Sequence, residues 1–154
     1  MPIAIIELVV LGSIALGLFG GAAVLFAAMA RMRSGGDVAA EERVPTALGH
    51  LAGYGGYLIP LGGALIPLVV MIAARDGGPV ESAAKQALAL NVFVFLTTIL
   101  LLVLWFTVVL IPLAWGIAAA LALVALVVPA IGAIQALSGS LSVYPFVGGM
   151  ATGQ

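Results

Sequence analysis

The sequence predicts an all-α fold, a polytopic transmembrane bundle of four helices whose second member is broken or re-entrant. Three observations carry this. Hydrophobic residues make up 64% of the 154 residues and charged residues only 7%, against about 25% charge in a soluble domain. Residues 88–110 and 113–137 are apolar runs separated only by Ile111 and Pro112, and each exceeds the roughly 20 residues a helix needs to cross a bilayer core about 30 Å thick. No charged side chain follows Lys85. A soluble chain has no use for two such runs back to back.

The remaining composition narrows the setting. Mean hydropathy is +1.34. The net charge of −1 lacks the basic surplus that phosphate backbones require, so no nucleic-acid partner is expected. The absence of cysteine removes disulfides, thiolate metal sites and cysteine nucleophiles. A bias to Ala, Gly, Val and Leu with five Lys plus Arg suggests a GC-rich bacterial source. The expected location is therefore the bacterial cytoplasmic (inner) membrane, crossed several times.

The first helix, within residues 1–33, is read as a retained span. A secretory signal places its positive charges before the apolar run, whereas Arg31 and Arg33 follow it and only Glu7 precedes. The positive-inside rule then puts the N-terminus outside and the two arginines in the cytoplasm. Glu7, near the N-terminal end, opposes the helix dipole favourably. Ser13, Gly17 and Gly21 recur at spacing four, flanked by Gly12 and Gly20. Lipid supplies no hydrophobic drive for helices to associate, so a small-residue face is read as a packing surface. Its partner is either another helix of the chain or another subunit.

Residues 34–46 form a polar cytoplasmic loop with Asp37, Glu41, Glu42 and Arg43, read as solvated with a short helical turn. A membrane domain of three hydrophobic helices is expected over 47–146, and 147–154 as a tail. Residues 47–74 begin that domain but are interrupted by Gly53, Gly55, Gly56, Pro60, Gly62, Gly63 and Pro67. Such breaks survive at membrane depth only where protein or water satisfies the freed backbone. A kinked single crossing is weighed against a re-entrant pair turning near residues 60–63. Charge favours re-entry, which would keep Arg31, Arg33, Arg43, Arg75 and Lys85 on one side. Length favours the crossing by a small margin, and the crossing is the expectation carried forward.

His50 is the only histidine. No cofactor is predicted, but a neutral imidazole could ligate a haem iron or the magnesium of a (bacterio)chlorophyll. The preferred reading is an interface residue hydrogen-bonded nearby, with Tyr54 and Tyr57 in the headgroup belt. In 75–86, Asp76, Gly77, Gly78 and Pro79 stop one helix and start the next, with Glu81 and Lys85 at i,i+4. Asn91 enters the third helix, where it is expected to pack against a neighbouring helix and bond across it. Thr97, Thr98 and Thr107 can bond their own backbone. Trp105 and Trp115 bracket Pro112 as an aromatic belt at the hairpin turn. Gly116, Ala118, Ala120 and Ala122 repeat the small-residue pattern in the fourth helix, and Pro129 kinks it. The uncharged stretch from Ser138 onward, with Tyr144, Pro145 and Phe146, is expected to lie on the membrane surface.

Reaction chemistry is missing from the pattern. There is no phosphate loop, nucleophile elbow or zinc constellation, and the spans hold no ionisable group besides Glu7, unlike a pump or ion-coupled carrier. No catalytic and no metal residue is assigned, and the chain is not expected to be an enzyme.

Short ordered segments carry a resemblance. Leu48-Gly49-His50-Leu51, Ile59-Pro60, Pro67-Leu68-Val69, Arg75-Asp76, Lys85-Gln86-Ala87-Leu88 with Asn91, and Val143-Tyr144-Pro145-Phe146 resemble the DUF4870 (Tic20-like) small membrane proteins. Ser140 and Ser142 stand where that family carries charge. The resemblance implies four helices and, through relatives in the chloroplast envelope import channel, a translocation or transport component. The residues themselves favour another class: a non-catalytic accessory or structural subunit, photosynthetic or respiratory, surrounded by lipid and packed against other integral membrane subunits. The helix-packing set Ser13, Gly17, Gly21 and Asn91 would mediate this.

Overall fold

The computed structural model describes residues 3–59, 61–106, 110–145 and 147–148. Helix α1 (Ile3–Arg31) is followed by strand β1 (Arg33–Asp37), a 3₁₀ turn (Ala40–Glu42), α2 (Arg43–Leu51), a 3₁₀ stretch (Ala52–Tyr57), α3 (Gly62–Ala73), α4 (Pro79–Trp105), α5 (Ile111–Leu137) and β2 (Ser140–Val143). Helices α1, α4 and α5 are long and apolar enough to cross a membrane, and α3 is a shorter apolar helix. The protein is a helical membrane bundle with a small β-ribbon at one end.

Local chemistry sets the helix ends. Arg31 lies in the last turn of α1, against the negative end of its dipole. In α4, Pro79 occupies the first turn and Glu81 complements the positive end, pairing with Lys85 at 2.6 Å. The Glu81 carboxylate also accepts the Gly77 N–H. Pro112 begins α5 and Pro129 lies inside it. Trp105 and Trp115 meet at 5.5 Å between ring centroids beside the α4–α5 connection, as an aromatic belt there requires. Thr97 and Thr98 bond the carbonyls of Phe93 and Val94 in their own helix. Thr107 lies outside the described residues.

Segment 47–74 is a re-entrant hairpin, and the expected single crossing is corrected. Leu61 adopts a left-handed conformation with φ of +63°, which starts α3 in a new direction. Pro60, at the expected turn, lies outside the described residues. The returning α3 lays Gly62 and Gly63 against Gly55 and Gly56, and a Cβ on Gly62 would overlap the Gly55 carbonyl. The first arm runs beside α4, with a Cβ on Gly49 falling 3.1 Å from Ala83 and one on Gly53 overlapping Asn91. The second arm returns from the level of Asn91, where a Cβ on Gly63 would fall 2.6 Å from Oδ1, to the Arg75–Gly78 turn that opens α4. Asn91 stands twelve residues past Pro79 (91 − 79) in a helix of 27. The hairpin therefore stops near mid-depth, because glycine-faced arms pack on each other more closely than one kinked rod could pack on α4.

Helices α1 and α5 run parallel in close contact. A Cβ on Gly17 would come within 2.5 Å of the Gly116 Cα, and one on Gly21 within 2.7 Å of the Ala120 Cα. Their exits on the same side are joined by an antiparallel ribbon in which Arg33 faces Val143, Ser34 faces Ser142 and Asp37 faces Ser140. The Val38 N–H donates to the Gly139 carbonyl at 2.8 Å. The loop after α1 is thus part strand, not wholly solvated, and Val38 is buried. The stretch after α5 does not lie on the membrane surface either. Tyr144 and Val147 join Leu90 and Val128 in a core cluster, because a backbone with a strand partner and an apolar anchor is better satisfied inside than on a headgroup layer. Phe146 and residues 149–154 lie outside the described set.

Candidate functional site

The most polar part of the interior lies where the segment after β2 closes over α2, α4 and α5. Ala83, Ala84 and Ala87 on α4 and Ala133 and Ala136 on α5 are buried. Their small side chains let a strand approach the helices. One edge of β2 pairs with β1. The other edge is read by Gln86, which is fully buried: its Nε2 donates to the Ser142 carbonyl at 2.9 Å, and its Oε1 accepts the Tyr144 N–H at 2.6 Å. A side-chain amide offers one donor and one acceptor, so Gln86 stands in for a third strand.

His50 and Tyr144 form the second half of this lock. The rings stack at 5.1 Å between centroids and 29° between planes, and Nδ1 lies 2.7 Å from the Tyr144 hydroxyl. With the phenol donating, Nδ1 accepts and Nε2 carries the proton. Gly132 makes room for the pair, since a Cβ there would fall 2.9 Å from both Nδ1 and the tyrosine ring. Arg43, Thr46 and His50 follow one face of α2 at i, i+3 and i+7. Gly139, at a φ of +92°, carries the Arg43 guanidinium directly over its backbone, with a Cβ there 2.7 Å from the guanidinium. Arg43 Nε, Thr46 Oγ1, His50 Nε2 and Ser142 Oγ are buried with no hydrogen-bond partner among the described residues.

This geometry relocates the residues singled out in the sequence. His50 is no interface residue: it has no exposed surface. Tyr54 is not at the headgroups, because its hydroxyl donates to the Leu126 carbonyl in the middle of α5. Asn91 does face a neighbouring element, clasped between Gly53 and Gly63, yet its Nδ2 bonds the Ala87 carbonyl of its own helix at 2.9 Å rather than crossing. Ser13 bonds the Val9 carbonyl at 2.6 Å, and the Gly17/Gly21 face is covered by α5 of the same chain. The stripe therefore holds the protein together and is not free for another subunit. Glu7 is exposed.

In the sequence Gln86 and Ser142 figure only in the family resemblance, Gly132 carries no assigned role, and Tyr144 is expected on the surface. The one signal that could have found Gln86 is its place one residue beyond the last charge, where a buried amide needs a partner. No group of three or more metal-ligating side chains occurs among the described residues. The Gln86 amide holds the chain's own backbone, and His50 holds the Tyr144 side chain. Accordingly, Gln86→Leu strips two buried partners from the segment around the end of β2 and should cost about 2–6 kcal/mol, at 1–3 for each group left unsatisfied. Tyr144→Phe, removing one, should cost less. Thermal unfolding in detergent micelles measures both, and equal midpoints for wild type and Gln86→Leu would refute the clamp.

Residues 41–151 match the family model described as the magnetosome magnetite crystal formation protein family, MamF/MmsF. No curated protein and no solved structure matches the chain. The matched stretch runs from the 3₁₀ turn before α2 through the hairpin, α4, α5 and β2 to the segment beyond Tyr144, so it holds the whole lock and leaves out only α1 and β1. The match overturns the DUF4870 (Tic20-like) resemblance, and with it the translocation reading and the photosynthetic-subunit reading.

Proposed function

The chain belongs to the magnetosome magnetite crystal formation protein family, and we propose that it serves magnetite crystal formation as a non-catalytic component of the magnetosome membrane, acting through one charged face. The observation that carries this reading is the sidedness of the charges. Of five basic and six acidic residues, all but Glu7 fall in the ribbon, the loops around α2 and α3, or the ends of helices at that same face. The positive-inside rule turns this face to the cytoplasm. The opposite end offers Glu7 and the uncharged α4–α5 connection.

The charged face is the surface on which other integral or peripheral magnetosome proteins would dock, while lipid surrounds the spans. This replaces the small-residue stripe as the reason for expecting partners. It also refines the general bacterial inner membrane to the magnetosome membrane. Exposed Asp37, Glu41 and Asp76 are the side chains to neutralise. In a magnetosome-forming host, deletion of the gene should alter the number or diameter of crystals counted by electron microscopy. Wild type should restore them, and the Asp37→Asn, Glu41→Gln, Asp76→Asn variant should not. Unaltered crystals in the deletion strain would remove the proposal, and full rescue by the triple variant would remove the charged face from it.

A further inference from the structure

Two adjoining clefts flank the tip of the re-entrant hairpin. The inner one, about 190 Å³, lies between the 3₁₀ stretch, α4 and α5, with Tyr57, Asn91, Ala125 and Pro129 in its lining. The outer one, about 390 Å³, is bounded by Leu61, Ala64, Val92 and Phe95, and shares Gly56, Asn91 and Val94 with the first. The outer volume alone is of the size of a small-ligand site, about 300–1,000 Å³, mostly apolar with a few polar groups, and the smaller inner cleft extends it. The outer cleft faces hydrocarbon: Tyr57, Leu58 and Leu61 at the tip are 68%, 83% and 68% exposed, at the mid-length of α4.

Besides the Tyr54 and Tyr57 phenols, of which Tyr54 is engaged by the Leu126 carbonyl, the inner cleft holds two polar groups that lack a donor. Pro129 has no N–H for the carbonyl of Ala125, four residues earlier. Asn91 Nδ2 is bonded to the Ala87 carbonyl, while its Oδ1 accepts nothing among the described residues. Both of these groups are acceptors. No Asp, Glu, Lys, Arg or His lines either cleft, so a charged head would lose its hydration without compensation.

We propose that these clefts bind one uncharged long-chain alcohol drawn from the bilayer, its single hydroxyl proton donated to Asn91 Oδ1 and its chain lying along Leu61 and Phe95. A hydroxyl supplies the missing donor, and its neutrality suits mid-depth. The site stands apart from the charged face and from any role in crystal formation.

Farnesol and farnesyl methyl ether test this, since they share a chain and differ in the donor. Binding to the full-length protein in nanodiscs is read by native mass spectrometry. Farnesol should bind as a single copy, about tenfold tighter than the ether. Asn91→Leu should erase that difference, and Val94→Phe, which fills the shared wall without touching a polar group, should weaken both ligands. Equal binding of alcohol and ether to the wild type, or retention of neither, overturns the proposal. So does undiminished discrimination in an Asn91→Leu protein that unfolds cooperatively.

Discussion

Single cysteines placed at Glu41 and at Asp76 will react with a membrane-impermeant maleimide from the same side of a sealed vesicle, and a cysteine at Phe106 from the opposite side. The chain has no cysteine of its own, so each variant reports one position. Glu41 precedes the re-entrant hairpin, Asp76 follows it, and all three positions are exposed. A crossing hairpin would put Glu41 and Asp76 on opposite sides. The re-entrant hairpin returns the chain at the level of Asn91, so the effect is all or none. Labelling of Asp76→Cys together with Phe106→Cys, and not with Glu41→Cys, would refute the topology, and with it the shared face of Arg31, Arg33, Arg43, Arg75 and Lys85.

Gly17→Leu is expected to be the most damaging single change in α1. Its Cβ alone would meet the Gly116 backbone at 2.5 Å, where backbone cannot yield as a flexible side chain does. Overpacking costs typically 1–3 kcal/mol and occasionally more. A rigid glycine-to-glycine crossing belongs at the upper end, so about 3 kcal/mol is expected, with α1 pushed off α5. Gly20→Leu is the matched control, since nothing lies within 4 Å of its Cβ position. Unfolding midpoints in micelles should fall sharply for Gly17→Leu and stay at wild type for Gly20→Leu. Equal effects would mean that the crossing does not depend on this glycine. Because the contact is within one chain, the loss should appear in monomeric protein and be independent of concentration, unlike a lost subunit contact.

Helices set by composition and length were legible in the sequence: α1, α4 and α5 follow from apolar runs bounded by Arg31, Pro79 and Pro112. Membrane residence follows too, since hydrocarbon rejects charge at almost any position in a span. The small-residue spacing of Gly17 and Gly21 correctly announced close packing, which depends only on what a Cβ would displace. The distribution of Arg31, Arg33, Arg43, Arg75 and Lys85 is itself consistent with re-entry, although the length of 47–74 would also permit a crossing.

What lay beyond the sequence was which surfaces meet. Gly17 can seat any backbone, and only the parallel course of α1 and α5 makes it Gly116. The direction of α3 hangs on the left-handed Leu61, a conformation that no residue preference announces for leucine. Gln86, His50 and Tyr144 come together over 94 residues of chain in the histidine–tyrosine contact and 58 in the amide clamp. Apolar periodicity describes one element against a uniform solvent. A hydrogen bond between distant elements depends on their relative placement, and that was decided only when the helices packed.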